Sequence, residues 1–210
     1  MRLQSSREEW FNTVTHAIGA ILGLIALPFL VLASKENSIL AIISFLIFGV
    51  SVILMFTASS VYHAIKDEDK KKLWRKIDHV SIFVLIAGTY TPITLLLLQS
   101  GSGWLIFGIV WSIAIFGAVL KLFFTGRYKA ISLALYLIMG WIIVFDFKNL
   151  WNLTSKQGMF LIFLGGAFYT LGTLFYSIKK MPYQHVIWHV FVLLGCASHY
   201  AFMFVELTTL

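Results

Sequence analysis

From Ser38 to Ile65 the chain reads SILAIISFLIFGVSVILMFTASSVYHAI, and from Lys66 to Lys76 it continues KDEDKKKLWRK. The first stretch contains no Asp, Glu, Lys or Arg. It is longer than the roughly 20 residues with which a helix crosses the hydrocarbon core of a bilayer. A spanning segment must satisfy its backbone polar groups internally, and the alternation of a barrel strand is absent, so the stretch reads as a membrane helix. Working outward, six further apolar segments run from Thr13 to Ala33, Asp78 to Leu98, Gly103 to Phe124, Tyr128 to Phe147, Gln157 to Ser177 and Gln184 to Val205. The expected fold is all-α, with seven transmembrane helices in a multi-pass protein of the inner (plasma) membrane.

Composition agrees with lipid as the solvent. The 210 residues are 60% hydrophobic and 12% charged, with a mean hydropathy of +0.89, whereas a soluble domain carries about 25% charged residues. Connections are short, with no Pro/Ser-rich linker and no internal repeat, so residues 1–210 are expected to form one domain. Pro28 and Pro92 are expected to kink the first and third spans. Arg2 and Arg7 precede an apolar stretch followed by Ala33-Ser34, a pattern shared with signal peptides. The stretch is long for a signal core, and a retained first helix is expected. The single cysteine, Cys196, excludes an intrachain disulfide framework and reads as small-residue packing.

The net charge of +7 would suit nucleic acid, but the basic residues sit in short stretches between apolar runs. That pattern sets membrane orientation and attracts anionic lipid headgroups; no nucleic-acid partner is expected. The N-terminal segment and the second, fourth and sixth connections hold 2, 6, 3 and 2 Lys/Arg, against 1, 0, 2 and 0 for the first, third and fifth connections and the C-terminus. The positive-inside rule therefore predicts a cytoplasmic N-terminus and an outer C-terminus.

Ionisable groups inside spans are costly and mark candidate sites. His16, His63, Asp78, His185 and His189 all fall at the expected cytoplasmic side. His185 and His189, at i and i+4, share one helix face, a spacing that lets two imidazoles hold one metal ion. His63 supplies a third imidazole at the same depth. Three neutral histidines suit Zn2+ and leave a fourth position open, where bound water is acidified toward a pKa of about 7. Asp78 is the candidate proton acceptor, and Ser59, one turn before His63, the candidate anchor for a water or a substrate carbonyl. The alternative is plain hydration of these interfacial groups, with Asp78 paired to Lys76 or Arg75. His79 is turned about 100° from Asp78 and reads as a boundary or supporting group. Asn12 and His16 share a face, and either lines the site or hydrogen-bonds to a neighbouring helix; His16 is read as supporting rather than ligating. His199, roughly 15 Å beyond His189 along a helix, is outside the ligand set. Asp146 is expected at the outer end of the fifth span with Lys148 as its partner.

These residues resemble the bacterial hemolysin III proteins, a branch of the progestin and adipoQ receptor family related to alkaline ceramidases. The resemblance lies in Ser59-x-x-x-His63, Lys76-Ile77-Asp78, His185-Val186-Ile187-Trp188-His189, the opening Glu9-x-x-Asn12-x-x-Thr15-His16 and the run Ala87-Gly88-Thr89-Tyr90-Thr91-Pro92. It covers essentially the whole chain. It implies a seven-helix fold with a cytoplasmic N-terminus, zinc held by His63, His185 and His189, and Asp78 reaching the zinc through water. Family relatives hydrolyse lipid amides such as ceramide; cytolysis and membrane-fluidity homeostasis are attributed to bacterial members. The long N-terminal region of the adiponectin-receptor branch is lacking, so hormone sensing is not expected.

The leading expectation is a zinc-dependent hydrolase of lipid amides or esters, with membrane lipids as partners and a lipid as substrate. The alternatives are a pore-forming cytolysin, for which the outer half offers chiefly His199 and Asp146, and a non-catalytic regulator of membrane state in which His16 closes the zinc shell.

Overall fold

The first helix starts earlier than its apolar pattern suggests. Ser5 accepts a hydrogen bond from the Glu8 amide at 3.2 Å while the Glu8 carboxylate takes the Ser5 amide at 2.7 Å, a capping box that satisfies two of the helix's open donors. Helix α1 therefore spans Ser6–Ala33 rather than beginning at Thr13, and it brings Glu9 and Asn12 into regular helix. The computed structural model describes residues 4–34, 38–125, 127–178 and 180–209; Arg2, Lys35 and Lys179, which enter the charge count, lie outside these.

Helix α2 spans Ile39–Ala64, capped by Ser38. The basic stretch after it is not a loop. Asp67 caps the Lys70 amide at 2.9 Å, and α3 runs from Glu68 to Pro92. Glu68 and Asp69 sit at the positive end of the helix dipole, and the following lysines are good helix formers. Asp78 consequently lies within α3 rather than opening it. At Pro92, which has no amide hydrogen to give, the ladder widens into a π-helical turn over Ile93–Leu97. Pro28, by contrast, sits inside an unbroken α1.

Helix α4 spans Gly103–Phe124 and α5 Lys129–Trp141. The fifth span continues through a 3-10 segment, Ile142–Asp146, into α6, Phe147–Leu153, so it ends beyond Phe147. Asp146 is buried within this span. It is bonded to Ser102 and, at 2.8 Å, to Asn149, which replaces the expected surface pairing with Lys148. Helix α7 spans Lys156–Ser177, and α8 spans Gln184–Phe202 with a π-helical end at Met203–Leu207.

Among the described residues there is no strand, and seven helical spans are long and apolar enough to cross a membrane. Their outer faces are apolar, with Phe145 and Leu32 exposed at 90% and 82%, a surface that suits lipid. The chain is a multi-pass membrane protein. Of the third span's apolar stretch 72% is buried, against 22% for the first and fifth spans, so α3 is the central helix. It packs between α2 and α4, and α8 closes against α1 and α7. Successive spans alternate in direction. The starts of α1, α3, α5 and α8 and the ends of α2, α4 and α7 therefore meet at one end of the bundle, and there the histidines gather.

Candidate metal centre

His63 stands in the last turn of α2, and His185 and His189 in the first two turns of α8. Antiparallel packing brings them together. The ring centroids of His185 and His189 are 4.6 Å apart, those of His63 and His185 5.1 Å, and those of His63 and His189 5.0 Å. One ligand nitrogen of each lies within 4.8 Å of the others. His63 and His189 are 4% and 1% exposed, so bulk water does not compete for them.

The first three turns of α1 hold this cluster in place. Glu8, besides capping its own helix, accepts the Tyr183 amide at 2.7 Å. Tyr183 has a left-handed φ of 56°, and this tie fixes the turn that starts α8 one residue before Gln184. Glu9 Oε2 takes His63 Nδ1 at 2.6 Å, and Glu9 Oε1 takes Lys71 Nζ at 2.9 Å, so one carboxylate joins α1, α2 and α3. The Asn12 carbonyl accepts from His189 Nδ1 at 3.3 Å, with Thr15 Oγ1 3.4 Å from the same nitrogen. Ser60 donates to the Thr13 carbonyl at 3.0 Å and locks the end of α2 to α1.

These partners decide what the imidazoles can do. Acceptors at Nδ1 put the ring hydrogen there and leave Nε2 with its lone pair. His63 Nε2 is buried and has no hydrogen-bond partner among the described residues. A buried polar atom without a partner calls for an explanation, and a metal ion supplies one. Metal-bound histidines habitually donate their other nitrogen to a carboxylate or a backbone carbonyl, which is what Glu9 and Asn12 receive. The three histidines fit a metal ion, and the all-imidazole donor set suits zinc.

The other expected residues take distinct positions. His16 lies flat on His189, centroids 3.5 Å apart and planes at 10°, with both ring nitrogens buried and without a hydrogen-bond partner among the described residues; it is not among the residues whose nitrogens converge. Asn12 contributes its carbonyl, and its amide lies 3.5 Å from His63 Nδ1. Ser59 and Asp78 are buried and line one cavity with His185 and His189. Asp78 Oδ2 is 3.5 Å from His79 Nδ1, which donates to the Arg75 carbonyl at 2.7 Å. His79 also lines the cavity, so residues 78 and 79 both reach it.

The cavity runs from the histidine cluster to His199 on α8. His199 is therefore not a ligand but the far wall of the same space. Between the two ends the walls are mostly apolar, with Leu85, Ile86, Leu137 and Val192 among them.

Two residues at this end of the bundle escape a reading of single spans. The clue to Glu9 is its spacing with Asn12 and His16, which puts the three residues on one face of α1. Lys121 belongs to the three basic residues counted with the fourth connection. It is in fact 3% exposed and lines the cavity beside Asp78 and His79. Its signal is the inward stripe of α4 formed by Gly103, Ile106, Val110, Ala114, Gly117 and Lys121.

Comparison with known proteins agrees with this architecture. The chain is 45% identical over 193 residues to the Hemolysin-3 homolog of Bacillus subtilis (strain 168), covering 91% of each chain. It is 40% identical over 195 residues to Hemolysin-3 of Bacillus cereus, covering 92% of this chain and 89% of that one. The human Monocyte to macrophage differentiation factor is 30% identical over 169 residues, covering 73% of this chain and 66% of that one. The sequence model described as Haemolysin-III related matches residues 4–200, and with seven spans and a three-histidine cluster the chain belongs to the haemolysin-III-related family.

Proposed function

We propose that the protein is a zinc-dependent hydrolase that cleaves the amide or ester bond of a lipid entering from the bilayer. The observation that carries this reading is the single cavity that joins the histidine cluster, Ser59 and Asp78 to a long apolar wall. His63, His185 and His189 would hold the ion. Bound there, zinc supplies a Lewis acid and a water acidic enough to ionise near neutral pH.

The chain's own residues do the rest. The apolar wall takes the acyl chain and excludes bulk water from the reacting bond. Ser59 Oγ hydrogen-bonds to the scissile carbonyl and orients it. Asp78 accepts the proton of the attacking water at a carboxylate oxygen and returns it to the departing amine or alkoxide. His79, anchored on the Arg75 carbonyl, stands beside the Asp78 carboxylate with 3.5 Å between Nδ1 and Oδ2. On the orientation expected from the charge count, this chemistry takes place near the cytoplasmic leaflet.

The test is turnover of acyl amides and esters by purified protein in lipid nanodiscs. His189→Ala and Asp78→Ala should abolish hydrolysis while both variants remain inserted and helical. Undiminished hydrolysis in both variants overturns the reading.

One relative is named Hemolysin-3 and another Hemolysin-3 homolog, and membrane permeabilisation is the second reading. The apolar wall between the histidines and His199 disfavours an ion path, since conduction needs polar groups through the full depth. Zinc-independent dye leakage from liposomes holding the pure protein would favour a pore over a hydrolase.

A further inference from the structure

Lys121 is the only Lys or Arg buried among the described residues. It stands one turn from the end of α4, close enough to an interface for a lysine's long stem to carry its charge into the headgroup layer. It does not do so: the side chain turns inward and lines the cavity. The other residues of its stripe are Gly or apolar, so α4 is built to seat against the bundle at every turn and presents one charge to the interior at the last. A lysine kept within a membrane domain against the cost of desolvation marks a ligand or ion position.

The surroundings indicate the ligand. Among the cavity's walls Asp78 is the one carboxylate and Lys121 the one lysine or arginine, and both lie at the end of the space where the histidines are. Ser132, 1% exposed and likewise a wall residue, stands on α5 with its hydroxyl donating to the Tyr128 carbonyl at 3.2 Å. An ammonium has three N–H donors, so a partner inside the protein still leaves donors for a ligand. The remaining wall toward His199 is mostly apolar. The space thus holds one ammonium and one carboxylate at its head and is mostly apolar along its length.

We propose that Lys121 is an oxyanion-binding residue, and that the cavity takes an amphiphile whose head carries a carboxylate or a phosphate. The lysine pairs with the oxyanion while the apolar wall holds the chain. In the hydrolase reading this makes the substrate or product an acidic lipid. The proposal rests on the cavity's being a lipid site and not on turnover, so it stands or falls by binding alone.

The experiment measures binding of dodecanoate, dodecyl phosphate and dodecanol to the full chain in nanodiscs of neutral lipid, for the native protein, Lys121→Met, Lys121→Arg and His189→Ala. The native protein should bind at least one acidic probe about ten-fold or more tighter than dodecanol, since one well-placed charge-assisted pair is worth that much. Lys121→Met should lose this preference while binding dodecanol as before, and Lys121→Arg should keep it. Competition by inorganic phosphate distinguishes the sources. Displacement of the acidic probes by millimolar phosphate assigns the site to a free anion, and no displacement assigns it to a lipid head. Absence of any acidic preference in the native protein overturns the proposal whatever the variants do. So does a preference kept in Lys121→Met but lost in His189→Ala, which would hand the oxyanion to the metal centre.

Discussion

Glu9 Oε2 and His63 Nδ1 stand 2.6 Å apart across the contact between α1 and α2, and Lys71 holds the other oxygen of the same carboxylate at 2.9 Å. The pair fixes the His63 ring and directs its unpartnered Nε2 away from Glu9. Loss of such an outer partner typically weakens a metal site about 10–100-fold. Glu9→Leu is expected to fall in that range, and Glu9→Gln, which keeps an acceptor oxygen but not the charge, to lie between it and the native protein. A chelator-competition titration with zinc reads both. Native affinity in a helical, inserted Glu9→Leu would show that His63 needs no such support.

His16 lies flat on His189 at 3.5 Å and outside the converging ligand nitrogens. That placement suits a platform for the His189 ring. His16→Phe, which keeps a flat ring, should retain one equivalent of zinc within about ten-fold of native affinity, whereas His189→Ala should lose it, because a three-ligand site cannot spare a ligand. Equal losses of zinc in the two variants, measured by metal analysis after gel filtration, would make His16 the fourth ligand.

The gathering of three histidines was legible because depth and helix face are both written in one dimension. Charge bias orders the ends of the spans, and an i, i+4 spacing aligns His185 with His189. Contacts that depend on the rotation of one helix against another are not written that way. Glu9 and Lys121 both fall near span ends, where a charge ordinarily means solvent, and only the packed bundle shows them turned inward. The same limit applies to helix starts. Apolar patterning places Asp78 at the head of a span, whereas caps at Ser5 and Asp67 extend α1 and α3 well past the hydrophobic stretch. His199 shows the reverse case: its distance from His189 is correct, yet a shared cavity joins them.

Gly140 on α5 is exposed, lines the cavity, and has open space where a Cβ would stand. Its carbonyl accepts from Tyr90 Oη at 3.0 Å, which a side-chain replacement leaves intact. Gly140→Phe should therefore fold at least as well as the native protein, helped by the few tenths of a kcal/mol (~0.3–0.5) by which phenylalanine exceeds glycine in helix propensity. The new ring narrows the space that takes the acyl chain. Under the hydrolase reading, kcat/KM for a long-chain amide should fall about ten-fold or more while that for a short-chain analogue is unchanged, the signature of lost chain binding. Equal effects on both substrates would remove the chain from this part of the cavity.

Gly88 lets α3 approach α2 so closely that a Cβ there would sit 2.7 Å from Ser51 Cβ and nearer still to its Oγ. Ser51 cannot simply swing aside, because its hydroxyl donates to the Phe48 carbonyl at 2.6 Å and the Ile47 carbonyl lies 3.3 Å from the same point. Gly88→Ala must push the helices apart, at a cost of about 1–3 kcal/mol. Ser51→Gly should restore part of that loss, since contacting residues couple by roughly 0.5–3 kcal/mol; thermal unfolding in detergent across the four-member cycle reads it. The functional consequence differs between the two halves of the site. His63 is tied to α1 and faces α8, so zinc affinity should change little. Asp78 rides on α3, and separation of α3 from α2 moves it relative to Ser59 and His63. Turnover should therefore fall further than metal binding does, and a Gly88→Ala variant that loses both in proportion would mean that α3, not α1, holds the metal ligands in register.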